Sequence, residues 1–241
     1  MISKLKNRIF LEQYEPSLIG IFVNPFFIAR KNLFKHIKEI GKEIKGKTLD
    51  VGCGTKPYEK FFASSEYVGL EIETTLNKEL KKADFFYDGN TFPFGNSEFD
   101  SVVCNQVLEH VFNPDDFLSE INRVLKPGGK LLLTVPFVWD EHEQPYDYAR
   151  YSSFGLKSLI EKNGFTLLRH VKSVKNYSVI SQLTIAYFFK IVYKKRVIKM
   201  FFTLFFFPFI TIGGLLLGKI LPDNNDLFLD NIILAEKVCD V

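Results

Sequence analysis

The sequence predicts an α/β fold built on a doubly wound, mostly parallel sheet, and three observations lead there. A short apolar strand, Lys47 to Val51, stops at two glycines one residue apart, Gly52 and Gly54. Glycines at a strand exit allow backbone conformations closed to other residues and let a ligand approach bare amides. Strand and helix patterns then alternate from Glu66 to Val171, which is the signature of parallel strands joined by crossovers. Finally, two of the following strands end on an acid, Glu71 and Asp88.

The 241 residues suffice for one sizeable core, alone or with an appendage, and 46% apolar and 24% charged residues are ordinary for a globular chain. A net charge of +3 is too mild for a nucleic-acid binder, so no nucleic-acid partner is expected. The 26 phenylalanines are unusual, and they crowd into the C-terminal third. Cys53, Cys104 and Cys239 have no metal-ligand spacing, no metal is expected, and reduced cytosolic thiols are the natural reading. Residues 1–8 are basic, but Glu12, Glu15 and Pro16 break the following apolar stretch, so a secretory leader is not expected.

In chain order, Leu33, Ile37, Ile40 and Ile44 recur at helical spacing and predict a helix from about Phe26 to Ile44. Its opposite face holds Arg30, Lys31, Lys35, Lys38 and Lys42, a solvated face or a membrane contact. Gly46 ends the helix and the glycine-loop strand follows. The dinucleotide fingerprint wants a third glycine where Pro57 stands, which argues against a nicotinamide cofactor. Pro57 suits the first turn of a helix through Glu59, Phe61 and Phe62. The loop is then a nucleotide cradle or an ordinary strand-to-helix turn.

Glu66 to Glu73 reads as the second strand. Glu71 at its tip is placed to accept from both hydroxyls of a ribose, or is a surface acid. Ala83 to Asp88 is the third strand, with Asp88 receiving an exocyclic amine or opening a turn with Gly89. Ser101 to His110 is a buried strand with polar residues at its end. Asn113, Pro114, Asp115 and Asp116 sign the start of a helix whose stripe is Phe117, Leu118, Ile121, Val124 and Leu125. Lys126-Pro-Gly-Gly129 stops it, and Lys130 to Pro136 is the fifth strand. Ser153 opens a further helix closed by Asn163-Gly164, and Phe165 to Val171 is a strand.

Leu49-Asp-Val-Gly-Cys-Gly-Thr55, Tyr67-Val-Gly-Leu-Glu71, Ala83 to Asp88, Phe99 to His110 and Arg123 to Lys130, in this order, resemble the class I S-adenosylmethionine-dependent methyltransferases. The segment from Trp139 to Ser152, followed by Phe154-Gly-Leu156 and Asn163-Gly-Phe165, is similar to their type-11 group. The resemblance implies a seven-stranded sheet and S-adenosyl-L-methionine as cofactor. It places Gly52, Cys53 and Gly54 along the methionine part, with Asp50 ordering the loop. It puts Glu71 on the ribose, Asp88 on the adenine amine, Asn105 and Gln106 along the cofactor and His110 nearby.

The sulfonium methyl is already electrophilic, so an in-line acceptor is the main need, with a base for a hydroxyl acceptor. His142 is the candidate base, or else orders its loop against Trp139 or Tyr148. Arg150 clamps an acidic acceptor, with Tyr148 beside it, or pairs with Asp147. Glu141, Glu143 and Asp147 are weaker candidates for the base.

Lys190, Lys194, Lys195, Arg196 and Lys199 precede Phe201 to Gly218, eighteen residues without charge. Leu229 to Glu236 reads as the closing strand, which would put both ends of the apolar run on one side of a bilayer. Pro208 and Gly213-Gly214 are expected to interrupt it. A helical pair or re-entrant element in the cytoplasmic leaflet follows, a phenylalanine-rich lid being the soluble alternative. The expected organisation is a basic helical segment over 1–46, the cofactor domain over 47–177, the hydrophobic insertion over 178–221 and the closing strand within 222–241. The expected activity is O-methylation of a glycan, lipid-linked or other amphipathic acceptor at the inner membrane face. A non-catalytic cofactor-binding membrane adaptor and an NAD-linked oxidoreductase are the alternatives.

Overall fold

The computed structural model describes residues 8–80 and 82–238; Cys239 and most of the basic N-terminus lie outside them. Its centre is a seven-stranded sheet in the order β3-β2-β1-β4-β5-β7-β6. The strands are β1 (Lys45–Val51), β2 (Ala63–Ile72), β3 (Phe85–Tyr87), β4 (Phe99–Asn105), β5 (Leu125–Pro136), β6 (Phe165–Lys172) and β7 (Asp230–Lys237). β3, β2, β1, β4 and β5 pair in parallel. β6 and β7 run oppositely: Ser173 bonds Leu229 and Asp230 at one end, while Val238 donates to Gly164 at the other. The strand order reverses between β1 and β4, and that switch point is where such sheets hold ligands.

The helices are α1 (Phe27–Ile40), α2 (Thr75–Leu80), α3 (Pro114–Val124), α4 (Ser153–Lys162), α5 (Ser178–Val192), α6 (Arg196–Phe201) and α7 (Phe207–Ile220). Leu33, Ile37 and Ile40 are buried as their spacing predicts, but α1 stops at Ile40 and a 3-10 turn, Gly41–Glu43, replaces its last turn.

The chain divides into two compact units. One holds residues 36–137 and 141–171 and the chain from Asn231 on. Its core comprises strand residues such as Leu49, Val51, Leu70, Val102, Leu131 and Leu133, with Phe117, Leu118 and Ile121 of α3 and Leu156 and Ile160 of α4. The other holds the chain up to Lys35, Val138–Asp140 and Lys172–Asp230, with Phe27, Ile28, Val174, Val179 and Leu229 at one core and Ile185, Val192 and Phe207 at another.

Several expectations need correction. Pro57 starts no helix: β2 begins at Ala63, which pairs with Lys45, so the connection has room only for a 3-10 turn, Glu59–Phe61. The third strand contracts to Phe85–Tyr87 because Asp84 is engaged elsewhere, accepting from the Gly69 amide at 2.7 Å and from Lys56 Nζ. The helix before β5 ends at Val124, and Lys126 to Gly129 bulges out of a ladder that pairs Phe99 with Leu125 and then Ser101 with Lys130. Asn113 sits at the N-cap of α3 without a side-chain cap bond.

Another concerns the apolar run. It is uninterrupted from Arg196 to Ile220, because a π-helical stretch, Phe202–Phe206, absorbs the frame change between α6 and α7. Pro208 falls in the first turn of α7, where a missing N–H loses little. Gly214 lies where a Cβ would stand 2.4 Å from Ser181 Oγ, and Gly218 where one would stand 2.6 Å from Ser178 Oγ. Ser178 Oγ donates to the Gly214 carbonyl at 3.0 Å. These glycines are the seam that lets α5 and α7 come together, as small residues do between close helices.

Candidate functional site

The glycine loop leaves β1 at the switch point. Gly52 (φ +72°) and Gly54 (φ +53°) occupy the left-handed region. The amides of Gly52 and Cys53 donate to the Leu70 carbonyl at 2.9 and 3.2 Å, which fastens the loop to β2. On the other side, a Cβ on Gly52 would lie 2.4 Å from Val107 Cγ2, so the exit of β4 packs directly on bare backbone.

Glu71, at the tip of β2, is buried and accepts from the Gly54 amide through Oε2 at 3.1 Å. Below the loop, the buried Asp50 accepts from Tyr67 Oη at 2.7 Å. Burial pushes the Asp50 carboxyl up to about 7, and the nearby Glu71 charge works in the same direction against the Tyr67 bond. Tyr67 is itself raised by burial, so its phenol remains a proton donor.

Asp88 behaves differently. It is exposed and caps its own turn, accepting from the Asn90 amide at 2.9 Å, the Asn90 side chain at 3.3 Å and the Thr91 amide at 3.3 Å. Those bonds, the Asn90 amide first, hold it below the usual carboxylate range. Of its two expected roles, the turn is thus formed, through Asn90 and Thr91.

Asn105 and Gln106 meet at Thr134, whose hydroxyl donates to Asn105 Oδ1 at 3.4 Å and accepts from Gln106 Nε2 at 3.3 Å. Gln106 turns the chain sharply with φ +55°. Beyond it a 3-10 turn, Leu108–His110, presents a fully buried Glu109 and His110. His110 Nδ1 meets the Tyr146 carbonyl at 2.7 Å, and its ring packs edge-on against His142 with centroids 4.8 Å apart. The Glu109 carbonyl accepts from the Tyr148 and Ala149 amides, tying this turn to the loop after β5.

In that loop Asp147 is the hub. It takes a fork from Arg150, at 2.6 and 2.7 Å, accepts from the His142 amide at 2.9 Å and stands 3.3 Å from His142 Nδ1. The Arg150 guanidinium is the main reason the Asp147 carboxyl is lowered to about 2. Arg150 thus pairs with Asp147, and the half-exposed Tyr148 stacks edge-on with Phe112 at 5.3 Å.

Residues 49–133 match the family model of a methyltransferase domain. That stretch, about a third of the chain, is similar to methyltransferase domains. Among its relatives is the O-methyltransferase rstn1 of Aspergillus nomiae, 26% identical over 58% of this chain and 74% of that one. Another is the thiol S-methyltransferase TMT1B of Rattus norvegicus, 31% identical over 48% of this chain and 51% of that one. The chain spans about half the length of most of the curated relatives it matches. A solved structure of a putative sarcosine dimethylglycine methyltransferase from Galdieria sulphuraria shares the fold, with TM-score 0.55 at 19% identity over 88% of this chain and 86% of that one.

The cofactor of a methyltransferase domain of this class is S-adenosylmethionine, and the loop fits it. Val107 occupies the place a side chain at Gly52 would take, so the loop keeps its tight turn against β4 only with glycine there. The Glu71 carboxylate accepts from Gly54 and, at 3.4 Å, from the Ile72 amide, which leaves lone pairs for a diol. Asp50 lies beneath the loop, held by Tyr67 Oη. In the methyltransferase domain Gly52, Cys53, Gly54, Glu71 and Asp50 come together, with Asn105 and Gln106 across the switch point from them. His110 and His142 form a second group with Glu109, and Asp88 stays on the surface.

Sequence reasoning missed three supporting residues. Glu109 was visible as an acid between Val107-Leu108 and His110, a poor place for a solvated carboxylate. Tyr67 and Thr134 carried no signal beyond strand alternation.

Proposed function

We propose that the chain is an S-adenosylmethionine-dependent methyltransferase that methylates an oxygen of an amphipathic acceptor, lipid-linked or glycan-bearing, at the cytoplasmic membrane face. The glycine loop with Asp50 and Glu71 would hold the cofactor, and His142, held by Asp147, is the base proposed to take the acceptor proton as the methyl moves in line to oxygen.

The observation that carries the choice of acceptor is the 25-residue helix Arg196–Ile220, of which only 22% of the apolar window is buried. Phe201, Phe205, Phe209, Leu216 and Ile220 are exposed along it, an apolar area far larger than isolated surface residues provide. At 1.5 Å per residue it is long enough to span a bilayer. The chain, however, leaves for this helix pair from β6 and returns from it into β7. Tip-first insertion of the pair would carry Lys194, Lys195, Arg196 and Lys199 into hydrocarbon, which is costly. A pair lying flat keeps these cations at anionic head groups and the phenylalanines in the acyl boundary.

The test is incubation of the purified protein with methyl-labelled cofactor and a cell extract split into lipid, glycan and soluble fractions. Label in an ether-linked methyl of a lipid or lipid-linked glycan supports the proposal. Label only in small soluble thiols or amines would overturn the choice of acceptor, and no label at all would overturn methyl transfer.

A further inference from the structure

We propose that Glu109, His110 and His142 form a binding site for one divalent transition cation, a refinement that rests on the methyl-transfer reading of this site. One donor atom from each of the three residues lies within 4.8 Å of the others. Ligands about 2.0–2.2 Å from a shared ion stand roughly 3.0–3.6 Å apart, so a contraction of about 1 Å closes the set.

The surroundings of the two rings are those of ligating imidazoles. A metal-bound histidine commonly commits its second nitrogen to a carbonyl or carboxylate, which fixes ring orientation and tautomer. His110 does so with the Tyr146 carbonyl, 2.7 Å from Nδ1. Because that partner only accepts, the neutral ring is protonated at Nδ1 and carries its lone pair at Nε2. Nε2 is the nitrogen that faces Glu109, at 3.9 Å from Oε1. His142 is held by Asp147 and Arg150, its Nδ1 lying 3.3 Å from the Asp147 carboxylate and 3.4 Å from Arg150 Nη2.

The third ligand, Glu109, is a carboxylate with no solvent exposure, and buried carboxylates are commonly paired or bound to metals. Both donating turns are fastened together before any ion arrives, by the Tyr148 and Ala149 amides on the Glu109 carbonyl. Two imidazoles and one carboxylate favour zinc, manganese, cobalt or iron over magnesium or calcium, and three protein ligands leave positions open.

An open position gives the cation a use. An acceptor hydroxyl bound there releases its proton to water more readily, and the resulting alkoxide takes the methyl from the sulfonium, which leaves as a neutral thioether. An imidazole nitrogen on the cation no longer accepts a proton, so the ion would take over the step otherwise given to His142.

The experiment is titration of Co2+ into the full-length, chelator-treated protein without cofactor or acceptor, read by visible absorption, with native mass spectrometry of the Zn2+ form for stoichiometry. One ion per chain is expected, weakened at least tenfold in His110→Ala, His142→Ala and the near-isosteric Glu109→Gln, and unchanged in His36→Ala. S-adenosylhomocysteine binding by calorimetry reports separately on the folded cofactor site in each variant. Absence of a bound ion in the native protein, or undiminished binding in all three ligand variants, overturns the proposal. Loss of homocysteine-ligand binding with the ion still held would instead refute the methyl-transfer reading and leave the cation site standing.

Discussion

Replacing Gly52 by alanine tests the cradle most directly, because its effect can be worked out from two features of the structure. At φ +72° an L-residue gives up about 1–2 kcal/mol. The new methyl would also stand 2.4 Å from Val107 Cγ2, more than 1 Å inside normal carbon contact, and relieving it by moving Val107 costs about 1–2 kcal/mol more. Together these lower stability by about 2–4 kcal/mol, or Tm by roughly 5–12 °C for a chain of this size. The loop amides must shift with the methyl, so affinity for S-adenosylhomocysteine should fall at least tenfold by calorimetry. Adding Val107→Ala makes room for the methyl but leaves the backbone strain, so the double variant should recover only the steric share, a coupling of about 1 kcal/mol or more. A Gly52→Ala protein that melts and binds like the wild type would refute the reasoning, and so would strict additivity of the two substitutions.

Other expectations follow from neighbouring groups. Glu71→Gln removes a charged acceptor from Gly54 and from the proposed ribose site, and the cofactor should bind about 10–100-fold more weakly in calorimetry. Asp50 titrates near 7 in the folded protein against about 3.9 unfolded, so the folded state binds the proton more tightly and stability should rise as pH falls from 8 to 5. Comparative melts should show that rise flattened in Asp50→Asn. His142→Ala should leave cofactor affinity intact and slow turnover by about 10²–10⁴-fold, and full activity would dismiss His142. Reversing Lys194, Lys195, Arg196 and Lys199 to glutamate should abolish sedimentation with anionic vesicles, at about 1 kcal/mol per cation lost.

What could be read from the sequence divides along physical lines. The strand exits were legible because glycines and acids there have few other uses, and Gly52, Gly54 and Glu71 do meet. Helix faces such as Phe117 to Val124 were legible from spacing alone. Pairing length was not: nothing local in Pro57 to Phe62 reveals that β2 reaches back to Lys45 and leaves no room for a helix. Gly214 misled for a related reason, since a glycine that weakens an isolated helix is an advantage where a second helix lies against it. Asp88 was ambiguous because an acid before glycine both caps turns and binds amines. Glu109 escaped notice because it takes on meaning only once His142, more than thirty residues later, is folded next to its neighbour.

The glycine and serine seam between α5 and α7 separates two properties that usually travel together. Beside Gly214 and Gly218 the helices meet through backbone and serine hydroxyls, whereas toward the basic tip Phe188 and Phe189 pack on Phe202, Phe206 and Phe207. The side chains that face outward, such as Phe205 and Phe209, can therefore be rewritten without unfastening the hairpin.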